Sequence, residues 1–144
     1  AQLEYVITKS VEMKRDVVAQ DERDTGARMI LNLGHTVGHA IEACSNFEVL
    51  HGQGVAIGTA VISRAANKMG YLSDNDLDKI LSLIKQYGLP TETDFSAEEL
   101  YSAALADKKA DSDSIAIVVP TEIGHAELKR IPKTELYDWI KAGI

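Results

Sequence analysis

The sequence predicts a mainly α-helical domain carrying one small β-hairpin. Three observations lead there. Apolar residues recur along most of the chain with the period of an amphipathic helix. Ser73, Ser96, Gly70 and Gly88 fall where caps and stops should bracket those stretches. A single run, Ile115-Ala116-Ile117-Val118-Val119-Pro120, is strand-like, and a turn with a short apolar return follows it.

Leu3, Val6, Ile7, Val11, Val17 and Val18 recur near helical spacing and predict a helix over residues ~2–19. Gln20 to Gly26 reads as a charged connection. Arg28 to Asn46 is again apolar with helical period and predicts a second helix, with a break at Gly34. Gly52 to Met69 predicts a third, whose Gly54, Ala56, Gly58 and Ala60 permit close helix approach; Gly70 stops it. Ser73 caps a helix from Asp74 to Tyr87, with Leu77, Ile80, Leu81 and Ile84 on one face. Gly88-Leu89-Pro90 ends that helix. Ser96-Ala97-Glu98-Glu99 is a capping-box pattern opening a helix that runs to about Asp107. Asp107 to Ser114 is polar and turn-like. Ile115–Pro120 is the first strand, Thr121–Gly124 the turn and Ala126–Leu128 the return. Pro132 fits the first position of a last helix with Leu136, Trp139 and Ile140 on its core face. Neither repeats nor internal linkers interrupt this pattern.

The composition narrows the function classes. The chain has 144 residues, enough to bury a real core, with 45% hydrophobic and 26% charged residues. Its net charge of −7 argues against nucleic acid or an anionic membrane as partner, since both require a basic face. Cys44 is the one cysteine, so no intramolecular disulfide can form, which fits a reducing cytoplasm. No apolar run is long enough to span a bilayer. Ala1-Gln2-Leu3-Glu4 begins within an amphipathic pattern, with neither an initiator Met nor a signal-peptide pattern. The expectation is a fragment of a longer cytoplasmic chain.

The chemistry concentrates at Gly34-His35-Thr36-Val37-Gly38-His39-Ala40-Ile41-Glu42 and Leu50-His51-Gly52-Gln53-Gly54, which hold three of the four histidines. Imidazole is the commonest protein metal ligand and a proton carrier near neutral pH. His35 and His39, four apart on a helix, project from one face, and His51 from the next element can close a site with them. Thr36 stands where an H-E-x-x-H protease needs its glutamate, so a zincin is not indicated. The competing reading is a set of surface or core-satisfying histidines. Cys44 is either a soft ligand or a small buried residue. His125, alone in a turn, reads as solvated.

Lys14, Arg28, Asn32, Lys108 and Lys109 form a second group. Arg28 and Asn32 are four apart, on one helical face a turn before His35. An arginine so close to imidazoles suits an anionic substrate, a phosphate or carboxylate held bidentately, or an ion pair to Asp21, Glu22 or Asp24. Asp107-Lys108-Lys109 reads as a solvated charge run. Phosphate loops, G-x-S-x-G elbows and C-x-x-C pairs are all missing from the sequence.

Taken together, the run from Lys14 through Val17-Val18, Asp21-Glu22, Gly26, Arg28 and Leu31-Asn32 to Gly34–Glu42, then His51-Gly52, Val55-Ala56 and Gly58, resembles the C-terminal domain of the 3-dehydroquinate synthase family. Asp107-Lys108-Lys109 with the following β run and Ile123-Gly124 continues the likeness over essentially the whole chain. The resemblance implies conversion of 3-deoxy-arabino-heptulosonate 7-phosphate to 3-dehydroquinate and phosphate, using NAD transiently and a divalent metal, zinc or cobalt. It implies alcohol oxidation, phosphate elimination, carbonyl reduction, ring opening and intramolecular aldol closure. By the same resemblance His35 and His51 are metal ligands and His39 lies near the substrate phosphate, handling protons. Lys14, Arg28 and Asn32 bind substrate, Lys14 and Arg28 joining His39 in the catalytic set, and Lys108, or next Lys109, adds a further cation. A third ligand, a glutamate, and an NAD-binding domain belong upstream of the matched segment, so the chain alone is expected not to turn over. The full-length enzyme is expected to form a homodimer.

Two departures from the family pattern stand out. Gln53-Gly54 replaces Glu-Ala, removing a charge beside a metal ligand, which either weakens the hydrogen bonding around it or marks a divergent branch. Asp111-Ser112-Asp113-Ser114 replaces a turn that commonly carries glycine. Competing readings are another sugar phosphate cyclase making a cyclitol, a metal-dependent alcohol dehydrogenase of the glycerol dehydrogenase type, and a non-catalytic helical binding module with a fossil site.

Overall fold

The computed structural model describes residues 2–20, 26–106 and 113–144, and of Ala27 the backbone only. The expectations for residues 21–25 and for 107–112, which include Lys108 and Lys109, lie outside the described residues. The chain divides into two units, Ala1–Leu31 and Asn32–Ile144.

In the first unit, helix α1 spans Gln2–Gln20, as the apolar spacing predicts. None of its residues is buried, and Leu3, Tyr5, Val6, Ile7, Val11 and Met13 are exposed. Lys9 and Glu12, a turn apart, form an ion pair at 2.7 Å.

A short 3₁₀ helix, Ala27–Asn32, leads across the unit boundary. This is a correction: one α-helix is expected over Arg28–Asn46, but the segment is 3₁₀ up to Asn32 and α-helical only in α2, His35–Cys44. Gly34 makes the break, as anticipated, with φ +76°. A Cβ on Gly34 would also lie 2.6 Å from the Thr59 nitrogen and 2.7 Å from the Val55 oxygen, so both conformation and space demand glycine. A 3₁₀ turn takes three residues and does not stack positions four apart, so Arg28 and Asn32 do not share the α-helical face expected of them.

The second unit is built round α3, His51–Lys68. Helix α2 lies against α3 and against α5, Ala97–Ala106, while α6, Glu135–Gly143, covers α3 from another side. Val37 and Ile41 of α2, Ile57 and Val61 of α3, Leu100 of α5, and Leu136 and Ile140 of α6 share one core. α2 and α3 meet backbone to backbone. A Cβ on Gly58 would sit 2.0 Å from the Gly34 oxygen, and one on Gly38 would sit 3.0 Å from the Gly54 carbonyl. The small-residue stripe foreseen in α3 is thus a contact seam.

α4, Asp74–Gln86, starts at Ser73, whose Oγ accepts from the Asp76 N–H at 3.2 Å. α5 opens with the full reciprocal box: Glu99 N–H donates to Ser96 Oγ at 3.3 Å, and Ser96 N–H to Glu99 Oε2 at 2.8 Å. Between these helices, the Arg64 guanidinium of α3 donates to the Thr91 and Gly143 carbonyls at 2.9 and 3.4 Å and pairs with Glu92.

The hairpin joins β1, Ser114–Glu122, antiparallel to β2, His125–Pro132, with Ile117 opposite Lys129 and an irregularity between Pro120 and Glu122. The return strand is longer than the three residues expected. It takes in His125, which is an exposed strand residue rather than part of the turn. It also takes in Pro132, which pairs with Ser114 instead of opening α6. The ring's fixed φ and missing N–H are tolerated at a strand end. Among the described residues no helix is long and apolar enough to cross a membrane.

Candidate metal centre

The three clustered histidines converge. His35 is the first residue of α2 and His51 the first of α3. The glycine seam packs α2 antiparallel to α3, with Gly34 against Gly58 and Gly38 against Gly54, and across it the three rings form a nearly equilateral triangle. The centroids are 5.6 Å apart for His35–His39, 5.4 Å for His35–His51 and 5.7 Å for His39–His51. His35 is half-buried; His39 and His51 are exposed.

The hydrogen bonds constrain two of the rings. His35 Nδ1 lies 3.1 Å from the Leu33 carbonyl oxygen. That oxygen only accepts, so Nδ1 carries the hydrogen and the Nε2 lone pair is left for a ligand. His51 Nδ1 lies 3.2 Å from each carboxylate oxygen of Glu42, with the same consequence. His39, Glu42 and His51 place one candidate ligand atom each within 4.8 Å of one another.

Glu42 received no role from the sequence reading, although it belongs to this centre. The signal was present: His35, His39 and Glu42 stand at i, i+4 and i+7, the stripe of one helical face. Gln53 is accounted for differently. Its Oε1 accepts from the Leu50 N–H at 3.3 Å and caps the start of α3. Cys44 lies outside the histidine group; its thiol is directed at the Glu99 carbonyl of α5 at 3.7 Å, and burial pushes the thiol pKa up.

The remaining candidates belong to other elements. Lys14 is exposed on α1 and Arg28 half-buried in the 3₁₀ helix, both in the first unit. Asn32, in the second unit, lines a crevice with Gly34, Thr36 and Val37. A carboxylate and three imidazoles form a donor set suited to zinc or cobalt.

Known proteins share this arrangement of sequence and fold. A curated 3-dehydroquinate synthase of Streptococcus suis is 41% identical over 140 residues, covering 96% of this chain and 39% of its own length. One from Lactococcus lactis subsp. cremoris is 41% identical over 143 residues, 98% of this chain and 40% of its own. The chain thus spans about two fifths of these relatives. Among solved structures, a 2-deoxy-scyllo-inosose synthase complexed with carbaglucose-6-phosphate, NAD+ and Co2+ superimposes with TM-score 0.79 at 23% identity, over 99% of this chain and 42% of that one. The 2-epi-5-epi-valiolone synthase of Streptomyces hygroscopicus, with NAD+ and Zn2+ bound, gives 0.80 at 20% identity, over 94% and 38%. At those identities the structural likeness establishes the fold. With residues 1–110 matching the family described as 3-dehydroquinate synthase C-terminal, the chain belongs to that family.

Proposed function

We propose that this chain is the metal- and substrate-binding part of a cytoplasmic, homodimeric 3-dehydroquinate synthase. That enzyme is a carbon–oxygen lyase converting 3-deoxy-D-arabino-heptulosonate 7-phosphate to 3-dehydroquinate and phosphate. The observation that carries this is the triangle of imidazoles, in which His35 and His51 both have Nδ1 engaged and Nε2 available. The relatives named 3-dehydroquinate synthase at 41% identity support the reaction assigned. The NAD+ and Co2+ or Zn2+ bound by proteins of the same fold support the cofactors. In this reading the NAD site and a third, glutamate metal ligand are contributed from outside these 144 residues.

His35 and His51 hold the divalent ion through Nε2. When bound, the ion supplies Lewis acidity to a substrate hydroxyl or carbonyl oxygen, and the nicotinamide a reversible hydride acceptor. His39 sits one turn along α2 from His35 and takes the proton-handling position beside the substrate phosphate. Lys14, Arg28, Asn32 and Lys108, or failing it Lys109, bind the anionic and hydroxyl groups and hold the substrate in orientation through successive steps.

Cobalt(II) titration of the chain, followed by visible absorption and calorimetry, tests the assignment. The unmodified protein binds cobalt; His35→Ala and His51→Ala lose that binding; His39→Ala keeps it within about threefold, since it removes no ligand. Loss of cobalt in His39→Ala with retention in His35→Ala would instead select the His39–Glu42–His51 set, whose ligand atoms lie within 4.8 Å of one another. With one ligand supplied from outside the chain, binding is expected to be weak, so saturating cobalt is used; no perturbation of the His35 and His51 ring signals under those conditions would refute the metal reading.

A further inference from the structure

We propose that Glu42 is a positioning residue for the metal centre: it accepts the hydrogen of His51 Nδ1 and thereby fixes which nitrogen of His51 faces the ion. The inference rests on the metal reading above and deepens it.

The two ligand histidines are held by different means. His35 is oriented by main chain, through the Leu33 carbonyl at 3.1 Å. His51 has a side chain 58% exposed at the first position of α3, and it is met by a hydrogen-bond partner from another helix. That partner, the Glu42 carboxylate, is only 14% exposed. Both oxygens stand 3.2 Å from Nδ1, so the ring nitrogen is centred on the carboxylate. An ionised carboxylate accepts and cannot donate, which puts the hydrogen on Nδ1 and the lone pair on Nε2. A histidine whose second nitrogen donates to a carboxylate is the usual support of a protein metal site, where it fixes the tautomer and raises ligand basicity.

The fold makes room for this contact. A Cβ on Gly54 would lie 3.3 Å from Glu42 Cγ and 3.0 Å from the Gly38 oxygen. Glycine at 54 therefore lets the Glu42 chain run across the seam from α2 to the start of α3. The pair also binds the two helices at the point where their histidines must agree in position. A direct ligand role for Glu42 competes with this one. Both oxygens face Nδ1 at equal distance, which is the geometry of an acceptor centred on His51 rather than of a carboxylate turned toward an ion.

The test uses the chain as it is, with Glu42→Ala and Glu42→Gln, and two readouts. The first is the His51 tautomer in metal-free protein, read from its ring nitrogen NMR shifts. The Nδ1–H form should dominate in the unmodified chain and in Glu42→Gln, whose amide oxygen still accepts. It should give way to the Nε2–H form in Glu42→Ala. The second is cobalt affinity, expected to weaken about 10–100-fold in Glu42→Ala and less in Glu42→Gln. An unchanged tautomer in Glu42→Ala would overturn the proposal. So would equal, complete loss of cobalt in both variants with the His51 tautomer intact, which would make Glu42 a ligand. If saturating cobalt left the His35 and His51 rings of the unmodified chain unperturbed while the tautomer still switched in Glu42→Ala, the metal reading would fall and the positioning contact would stand.

Discussion

Replacing Gly58 by alanine should damage both the fold and the histidine geometry. The added Cβ would lie 2.0 Å from the Gly34 oxygen, 2.8 Å from the Gly38 nitrogen and 3.0 Å from the Gly34 carbonyl carbon. All three are main-chain atoms, so no side chain can swing aside. Restoring an ordinary contact near 3.4 Å from the Gly34 oxygen requires roughly 1.4 Å of separation between α2 and α3. Functional constellations tolerate about 0.5 Å. Overpacking of a close contact costs about 1–3 kcal/mol, and the backbone nature of this one puts it at the top of that range. Alanine's better helix propensity returns about 1 kcal/mol. The net destabilisation is about 2 kcal/mol, a fall in Tm of roughly 4–8 °C at this chain length. Gly52→Ala is the control: it is in the same helix, one residue after His51, and a Cβ there meets nothing within 4 Å. It should raise Tm slightly. Thermal unfolding of both variants by circular dichroism, with cobalt titration, decides. A Gly58→Ala protein that melts at or above the unmodified temperature would refute the reasoning about the seam.

Further expectations are local. Ser73→Ala removes the acceptor for the Asp76 N–H and should cost about 1 kcal/mol in urea unfolding, while Ser73→Asp, which can still cap, should restore most of it. Glu99 is held below the usual carboxylate range, first by the Ser96 backbone N–H and then by the Ser96 hydroxyl. A depressed folded pKa means that its stabilising effect is present above the unfolded value and is lost as pH falls through the folded one. A carboxyl NMR titration should show Glu99 ionising below an ordinary glutamate and shifting back toward it in Ser96→Ala; an ordinary value in the unmodified chain would contradict the cap.

Where local chemistry decides the structure, the sequence was sufficient. Ser73 and the Ser96–Glu99 box each specify a helix start through atoms within three residues, and both form as expected. Gly34 was legible as a break because glycine alone enters φ +76° freely. Convergence of His35, His39 and His51 followed from helical spacing and a short connection. Other features depend on distant partners. Pro132 suits a helix start as well as a strand end, and pairing with Ser114, eighteen residues earlier in sequence, selects the strand. The 3₁₀ geometry of Ala27–Asn32 cannot be distinguished from α by an apolar period alone. Glu42 was visible on the histidine face, but its contact with His51 needs the width of the gap between two helices, which no one-dimensional pattern carries.

The Arg64 guanidinium has a consequence for the order in which this unit assembles. The helices are local structures that can form early, within microseconds. Arg64 instead gathers the Thr91 carbonyl, 27 residues away, and the Gly143 carbonyl, 79 residues away. Contacts of such sequence separation require the ends of long loops to meet before they repay that entropy. The last helix is therefore expected to dock on α3 late in folding, and an Arg64→Met variant that unfolds faster at an unchanged folding rate would bear this out. Interactions made after the transition state govern the unfolding rate rather than the folding rate. On that expectation the clamp slows the release of the helix that carries His51 without hastening its formation.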